Sequence, residues 1–121
     1  MINLDFRFNK IIANDKAKLR ISRSGASLVS MHANFIFISG GMAGVNYTNY
    51  HLSAFVERYN SLLDKWEVLP SLYQARVFHS SCIIRNTMYV VGGRKKPNQE
   101  LNSIEKLNDI DVPNSQDISG W

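Results

Sequence analysis

The feature that most constrains this chain is an internal repeat with a period near fifty residues. The run NFIFISGG ends in Gly40-Gly41 and the run MYVVGG ends in Gly92-Gly93, 52 residues further on. Likewise Phe55-Val56-Glu57-Arg58-Tyr59-Asn60 is echoed by Ser103-Ile104-Glu105-Lys106-Leu107-Asn108, with the two glutamates 48 residues apart. The densest copy lies between Val56 and Gly93, where Tyr59, Trp66 and Arg76 are followed by two apolar runs. A fixed period of this length, built only from short strands and turns, is the signature of propeller blades.

These residues resemble the kelch repeat: Arg-x-x-His, an apolar strand, a second strand closed by Gly-Gly, Glu-Arg-Tyr-Asn, then Trp. The likeness runs from about Arg23 to the end of the chain. It implies an all-β fold of kelch-type propeller blades, four-stranded antiparallel meanders in an incomplete ring. Residues 1–22 are expected to form a degenerate outer hairpin of a preceding blade or an N-terminal arm. Residues 23–75 then make blade 1, and residues 76–121 make blade 2, truncated at its outer strand. Trp121 follows Glu-x-x-Asn as Trp66 does, but seven residues later, so the chain is expected to stop where that strand would begin. A propeller closes with about four to eight blades. Two are expected to belong to a fragment, or to be completed by further blades or self-association, and to be poorly stable alone.

Within this frame the alternation of apolar and polar residues predicts strands near 26–31, 35–40, 54–60, 66–69, 78–84, 87–92 and 103–108. The first nine residues alternate cleanly, as do Ala17 to Ser22, which predicts a hairpin of these two strands with a turn at Ala13 to Lys16. Met42 to Leu52 and Arg94 to Leu101 read as loops, the latter polar and basic, and Asp109 to Gly120 has loop composition.

Charge and composition exclude several classes. The net charge of +4 is scattered, and Asp5 and Asp15 lie before and within the densest basic group, Lys10 to Arg23. That reads as a solvated strand face, not as a nucleic-acid surface. No run approaches the ~18 apolar residues of a membrane span, and no signal peptide is visible. Cys82 stands alone, so no disulfide forms within the chain. A reducing, cytoplasmic setting is expected, with the acceptor-like Asn46-Tyr47-Thr48 unused.

No catalytic, cofactor or metal site is expected. His32, His51 and His79 are too far apart for a local ligand pair; His79 fits the repeat's histidine and should hydrogen-bond backbone inside its blade. Cys82, in Ser81-Cys82-Ile83-Ile84, reads as a small core residue without an activating base. Gly40-Gly41-Met42-Ala43-Gly44 matches neither phosphate-binding loop. Trp66, Tyr59 and Phe37 read as core.

The resemblance singles out Arg23 and Arg76, with Asn102 and Ser103, as partner-binding residues. In kelch proteins such residues often line the mouth of the central channel. Both arginines are expected to project into solvent there, gripping an acidic segment of a protein partner, so that replacing either weakens binding and spares folding. In the first repeat Ala54 and Phe55 replace the Asn-Ser pair. The resemblance implies a non-catalytic protein-protein interaction module, a scaffold or a substrate receptor such as a ubiquitin ligase adaptor. The alternative is a fragment of a kelch-type propeller enzyme whose catalytic residues lie in blades not present here.

Overall fold

In a computed structural model, residues 3–5, 10–12, 17–19, 23–32, 34–46, 49–96 and 99–121 are described. Two antiparallel meanders dominate. The first runs β3 (Ser27–Met31), β4 (Phe35–Ser39), β7 (Val56–Asn60) and β8 (Lys65–Leu69), paired in the order β3-β4-β7-β8. The second pairs β9 (Ser80–Ile84), β10 (Thr87–Val91) and β13 (Ile104–Leu107) in the order β9-β10-β13. Each meander is one blade. All seven fall on expected strands; six are trimmed by a residue or two at their ends, and β8 begins one residue earlier than expected. Tight turns at Asn34 and at Arg85-Asn86 join the first two strands of each blade, and Arg85 takes the left-handed backbone (φ 56°) its turn requires.

The expected loops differ. Met42–Asn46 (β5) pairs with Asn49–Leu52 (β6), and Arg94–Lys96 (β11) pairs with Gln99–Glu100 (β12), so each blade extends a hairpin between its second and third long strands. Near the N-terminus, Asn3–Asp5 (β1) pairs with Lys10–Ile12 (β2), not with the expected strand over Ala17 to Ser22. Of that strand, residues 17–19 are not in a sheet. Residues 20–22, Phe6, Phe8, the turn at 13–16, Tyr47-Thr48 and Pro97 lie outside the described residues. After β13 the chain makes one short 3-10 turn, Ser115–Asp117, capped by the Asn114 side chain.

Register decides which face each residue takes, because opposed residues in an antiparallel pair share a face. In blade 1, Val29, Phe37 and Arg58 oppose one another, as do Ser39, Val56 and Leu69. In blade 2, Ile83, Met88 and Leu107 oppose one another, with Val90 and Glu105 beside them. These two faces meet, and Phe37, Val56, Met88, Val90 and Leu107 are fully buried between them. The core is therefore a layer between the blades, not within either. The tail closes one side of it: Ile110 and Ile118 are buried there, and Trp121 packs against them.

Arg58, charged yet fully buried, holds that tail. Its guanidinium stacks over Phe35 at 4.2 Å and bridges both oxygens of Glu67 at 3.0 and 3.2 Å. It also donates to the carbonyls of Ile110 (3.0 Å), Val112 (2.7 Å) and Pro113 (3.2 Å). A planar fork with five donors is suited to such a site, since every donor direction can find an oxygen. The two tryptophans make matching contacts. Trp66 Nε1 donates to the Ala17 carbonyl at 2.9 Å, and Trp121 Nε1 donates to the Pro70 carbonyl at 2.7 Å. Trp66 also packs against the Tyr59 ring, tilted by 46° with centroids 5.1 Å apart. Tyr59 gives its hydroxyl to Asp64, which with burial raises the phenol's pKa.

Candidate partner-binding face

The construction of this face begins where the sheet ladder stops. The pairing of β4 with β7 ends at Ser39 and Val56, and Gly40-Gly41 then turns the chain out into the β5-β6 hairpin. The Gly40 carbonyl at that exit has no ladder partner, the Phe55 carbonyl has only the Gly40 amide, and a buried carbonyl short of donors is costly. Arg23 supplies the missing donors. Its Nη1 reaches Gly40 O at 3.0 Å and Phe55 O at 2.6 Å, while Nη2 pairs with Glu57 at 2.9 Å. In blade 2, Arg76 makes the same clasp: Nη1 to Gly92 O at 2.9 Å and Ser103 O at 3.2 Å, Nη2 to Ser103 Oγ at 3.1 Å and Glu105 at 2.7 Å. Where blade 1 has Phe55 in place of Ser103, its ring lies under Arg23 at 5.5 Å. The ring replaces the serine hydroxyl.

The expectation that both arginines project into solvent is therefore corrected. Both guanidinium side chains have no exposed surface. Burial lowers the Arg23 pKa, and the Glu57 hydrogen bond and charge oppose that shift. Of the other two residues singled out, Asn102 is exposed, and Ser103 is exposed at the rim while tied to Arg76. Glu105 also accepts from the Tyr73 and Gln74 amides at 2.7 and 3.2 Å, so one ion pair anchors the crossover between blades.

The glycines are required by close approach. A Cβ on Gly40 (φ 65°) would lie 2.5 Å from both Arg76 O and His79 Cε1. Gly40 and Gly41 thus let blade 2 press its first strand's entry against blade 1, with Gly41 N donating to Arg76 O at 2.8 Å.

His79 bonds across this seam, not to backbone within its own blade. Its Nε2 lies 2.9 Å from Ser39 Oγ, and its Nδ1 is buried with no partner. Burial, then the charge of Arg76, pushes its pKa down to about 4, against smaller opposing effects of Ser39 and Glu105. The unfolded chain, with an ordinary histidine near 6.5, binds the proton more readily. The stabilising contribution is whole above about pH 6.5 and is lost as pH falls toward about 4. Thermal melts from pH 7.5 to 4.5 should show a falling midpoint, and His79→Gln should lose most of that slope. An equally steep slope in the variant would assign the effect elsewhere.

Beyond the clasps, the two hairpins rise from the same end of the blades. Isolated bridges Ser24 to Met42 and Val77 to Arg94 stitch each hairpin to the entry of its blade. Between them lies a cavity of about 130 Å³, lined by Met42, Tyr50, Leu52, Phe78, Arg94 and Lys96. A broader hollow of about 430 Å³ adjoins it at Phe78, Gly93, Arg94, Glu100 and Leu101. Phe78, with 63% of its surface exposed, stands between the two on a left-handed backbone (φ 57°). Arg94, Lys95 and Lys96 are all exposed beside it. The combination is an aromatic anchor rimmed by cations. Sequence reasoning missed Phe78, which sits between Arg76 and His79 where the repeat motif leaves the residue open.

Of the other residues weighed, Phe37 and Tyr59 are buried and Trp66 is half-buried. His32 and His51 are exposed, in the β3-β4 turn and in β6. Cys82 is not core; it is exposed on the outer face of blade 2.

A family profile for the kelch motif matches residues 75–110, the crossover and the three long strands of blade 2. That stretch carries a kelch motif. Curated relatives agree with that placement. Kelch-like protein 21 of Danio rerio is 34% identical over 68 residues, which is 56% of this chain and 10% of that protein. An F-box/kelch-repeat protein of Arabidopsis thaliana is 32% identical over 66 residues, 54% of this chain and 16% of that protein. Kelch repeat and BTB domain-containing protein 2 of Horsepox virus is 29% identical over 84 residues, 69% of this chain and 14% of that protein. The chain thus spans 10–16% of the length of these relatives. The solved structure of YjhT superposes with a TM-score of 0.66 over 89% of this chain and 35% of that one, at 18% identity. That likeness bears on the fold: kelch-type blades in an incomplete ring.

Proposed function

We propose that this kelch chain is a non-catalytic protein-protein interaction module that binds an acidic segment of a partner through the hairpin end of its blades. One observation carries the reading: an exposed Phe78 in a concavity rimmed by Arg94, Lys95 and Lys96. The buried arginines take a positioning role. Arg23 and Arg76 hold the hairpin roots in place, and Asn102 and Ser103 lie at the rim. A scaffold or substrate-recognition role in the cytoplasm, as a ubiquitin ligase adaptor, is the setting proposed for it, in line with relatives named for F-box and BTB domains. The free faces of the blades need cover from further blades or from self-association.

A displayed random-peptide library panned on the chain supplies the test. Selected peptides should carry Asp or Glu next to a large apolar residue, and a labelled peptide should bind more weakly as salt rises. Phe78→Ala should weaken it by about 1–2 kcal/mol, roughly five- to thirtyfold, as for an interface anchor. Arg94→Ala should reduce the salt dependence. Selection of peptides without acidic residues, or binding indifferent to Phe78, would reject this reading.

A further inference from the structure

The cavity between the two hairpins has one apolar wall and one cationic wall. In the hairpin of blade 1, Met42 stands opposite Leu52 and Gly44 opposite Tyr50, so Met42, Leu52 and Tyr50 share a face. That face lines the cavity, and on the other side Arg94 and Lys96 of β11 line it too. Buried Val77 and exposed Phe78 complete the lining. Glu100 stands opposite Arg94 in the register, yet among the described residues Arg94, Lys95 and Lys96 make no ion pair. Three exposed cations therefore keep their charge for something outside the chain. In blade 1 the position of Phe78 belongs to Gly25, at φ 66°. Blade 2 keeps an aromatic side chain there at φ 57°, a backbone that disfavours bulky residues. Strain of this kind collects at ligand-binding positions.

We infer that this cavity takes the side chain of a phosphorylated tyrosine in the partner's acidic segment. Size selects the body of the ligand. A cavity of about 150 Å³ lined by Leu, Ile and Phe accepts one benzene ring, and this one measures about 130 Å³. A phenyl ring can lie against Met42, Leu52 and Tyr50, whereas the two methylenes of a glutamate leave most of that wall in water. Charge selects the tip. A phosphate carries about −1.5 to −2 charges at pH 7 and three acceptor oxygens. It can engage Arg94 and Lys96 together, the arginine through two parallel hydrogen bonds. Phosphoserine brings the charge without the ring, and unmodified tyrosine brings the ring without the charge. A nucleoside monophosphate also joins a ring to a phosphate, but its base and ribose together are bulkier than the cavity. This assignment rests on peptide binding at the hairpin end and narrows the acidic segment to one whose charge sits at the tip of a ring.

Titration of capped single residues into the isotope-labelled chain, read from its amide resonances, supplies the test. The ligands are phosphotyrosine, tyrosine, phosphoserine and glutamate, with adenosine monophosphate alongside. Capped phosphotyrosine should shift the amides of β5, β6, Phe78 and β11, and bind at least about tenfold more tightly than any of the others. Replacing both rim cations, Arg94→Gln with Lys96→Gln, should leave phosphotyrosine within about threefold of tyrosine. Lys96→Gln alone takes the place of the double variant if the spectrum shows that one misfolded. Phe78→Gly, which gives blade 2 the residue that blade 1 has, should keep the dispersed spectrum of a folded chain and lose most of the affinity. Any other ligand binding as tightly as phosphotyrosine, shifts confined to other parts of the chain, or a preference that survives loss of both cations would overturn the inference. If panned acidic peptides still bind in that event, only the phosphotyrosine assignment falls. If those peptides fail as well, the hairpin-end reading falls with it.

Discussion

Arg76→Ala should destabilise the chain by about 3–5 kcal/mol, the usual cost of removing one member of a buried ion pair. The variant leaves the Gly92 carbonyl without its donor and the Ser103 carbonyl with the Gly92 amide alone, and it strands Glu105, whose side chain is only 10% exposed, with just the Tyr73 and Gln74 amides. Urea unfolding followed by tryptophan fluorescence should show a lower midpoint at unchanged slope. Arg76→Lys should recover only part of the loss, because an ammonium cannot serve both the carbonyls and the carboxylate with a planar fork. A loss below about 1 kcal/mol would mean that the clasp carries little of the fold. This reverses the expectation drawn from the motif, that alanine here spares folding.

Phe37→Ala should cost about as much, roughly 3–5 kcal/mol, for a different reason. The ring is fully buried in the layer between the blades, in the cluster that also holds Val56, Met88, Val90 and Leu107. Removing it opens a cavity walled by both sheets. Small domains have only about 5–15 kcal/mol in hand, so both blades should loosen together. Hydrogen exchange of the β9 and β10 amides, which belong to the other blade, should rise as much as that of β3 and β4. Exchange that increases in blade 1 alone would show two independent units, contrary to a shared core.

Much of this fold was legible because its signals are local. Apolar alternation placed the seven long strands, and the paired glycines marked where each second strand ends. The side-chain directions of Arg23 and Arg76 were not legible. The same arginine before a strand could face water or turn inward, and which it does depends on carbonyls left open by Gly40 and Gly92, far along the chain. Cys82 misled for a related reason. Alternation in Ser81-Cys82-Ile83-Ile84 separates two faces but does not say which one another blade covers. The β5 and β11 hairpins hid behind Asn-, Gly- and Lys-rich composition, since main-chain pairing at a sheet margin needs no apolar side. Ile110, Ile118 and Trp121 share no period, and only contact with blade 1 reveals them as core. At the candidate site, Arg94 was visible as part of a basic loop. Phe78 was not, because its exposure follows from a left-handed backbone that the residue type does not announce.

The proposed binding surface lies at the hairpin end of the two blades. Hydrogen exchange with and without a saturating, panned acidic peptide tests it most directly, because the two ends of the blades report separately. Protection is expected in β5, β6, β11, β12 and around Phe78, with little change at the opposite turns, at His32 and Asn34, Ser61 to Asp64 and Arg85-Asn86. Protection confined to those opposite turns, or none at a peptide concentration that saturates the chain, would contradict it.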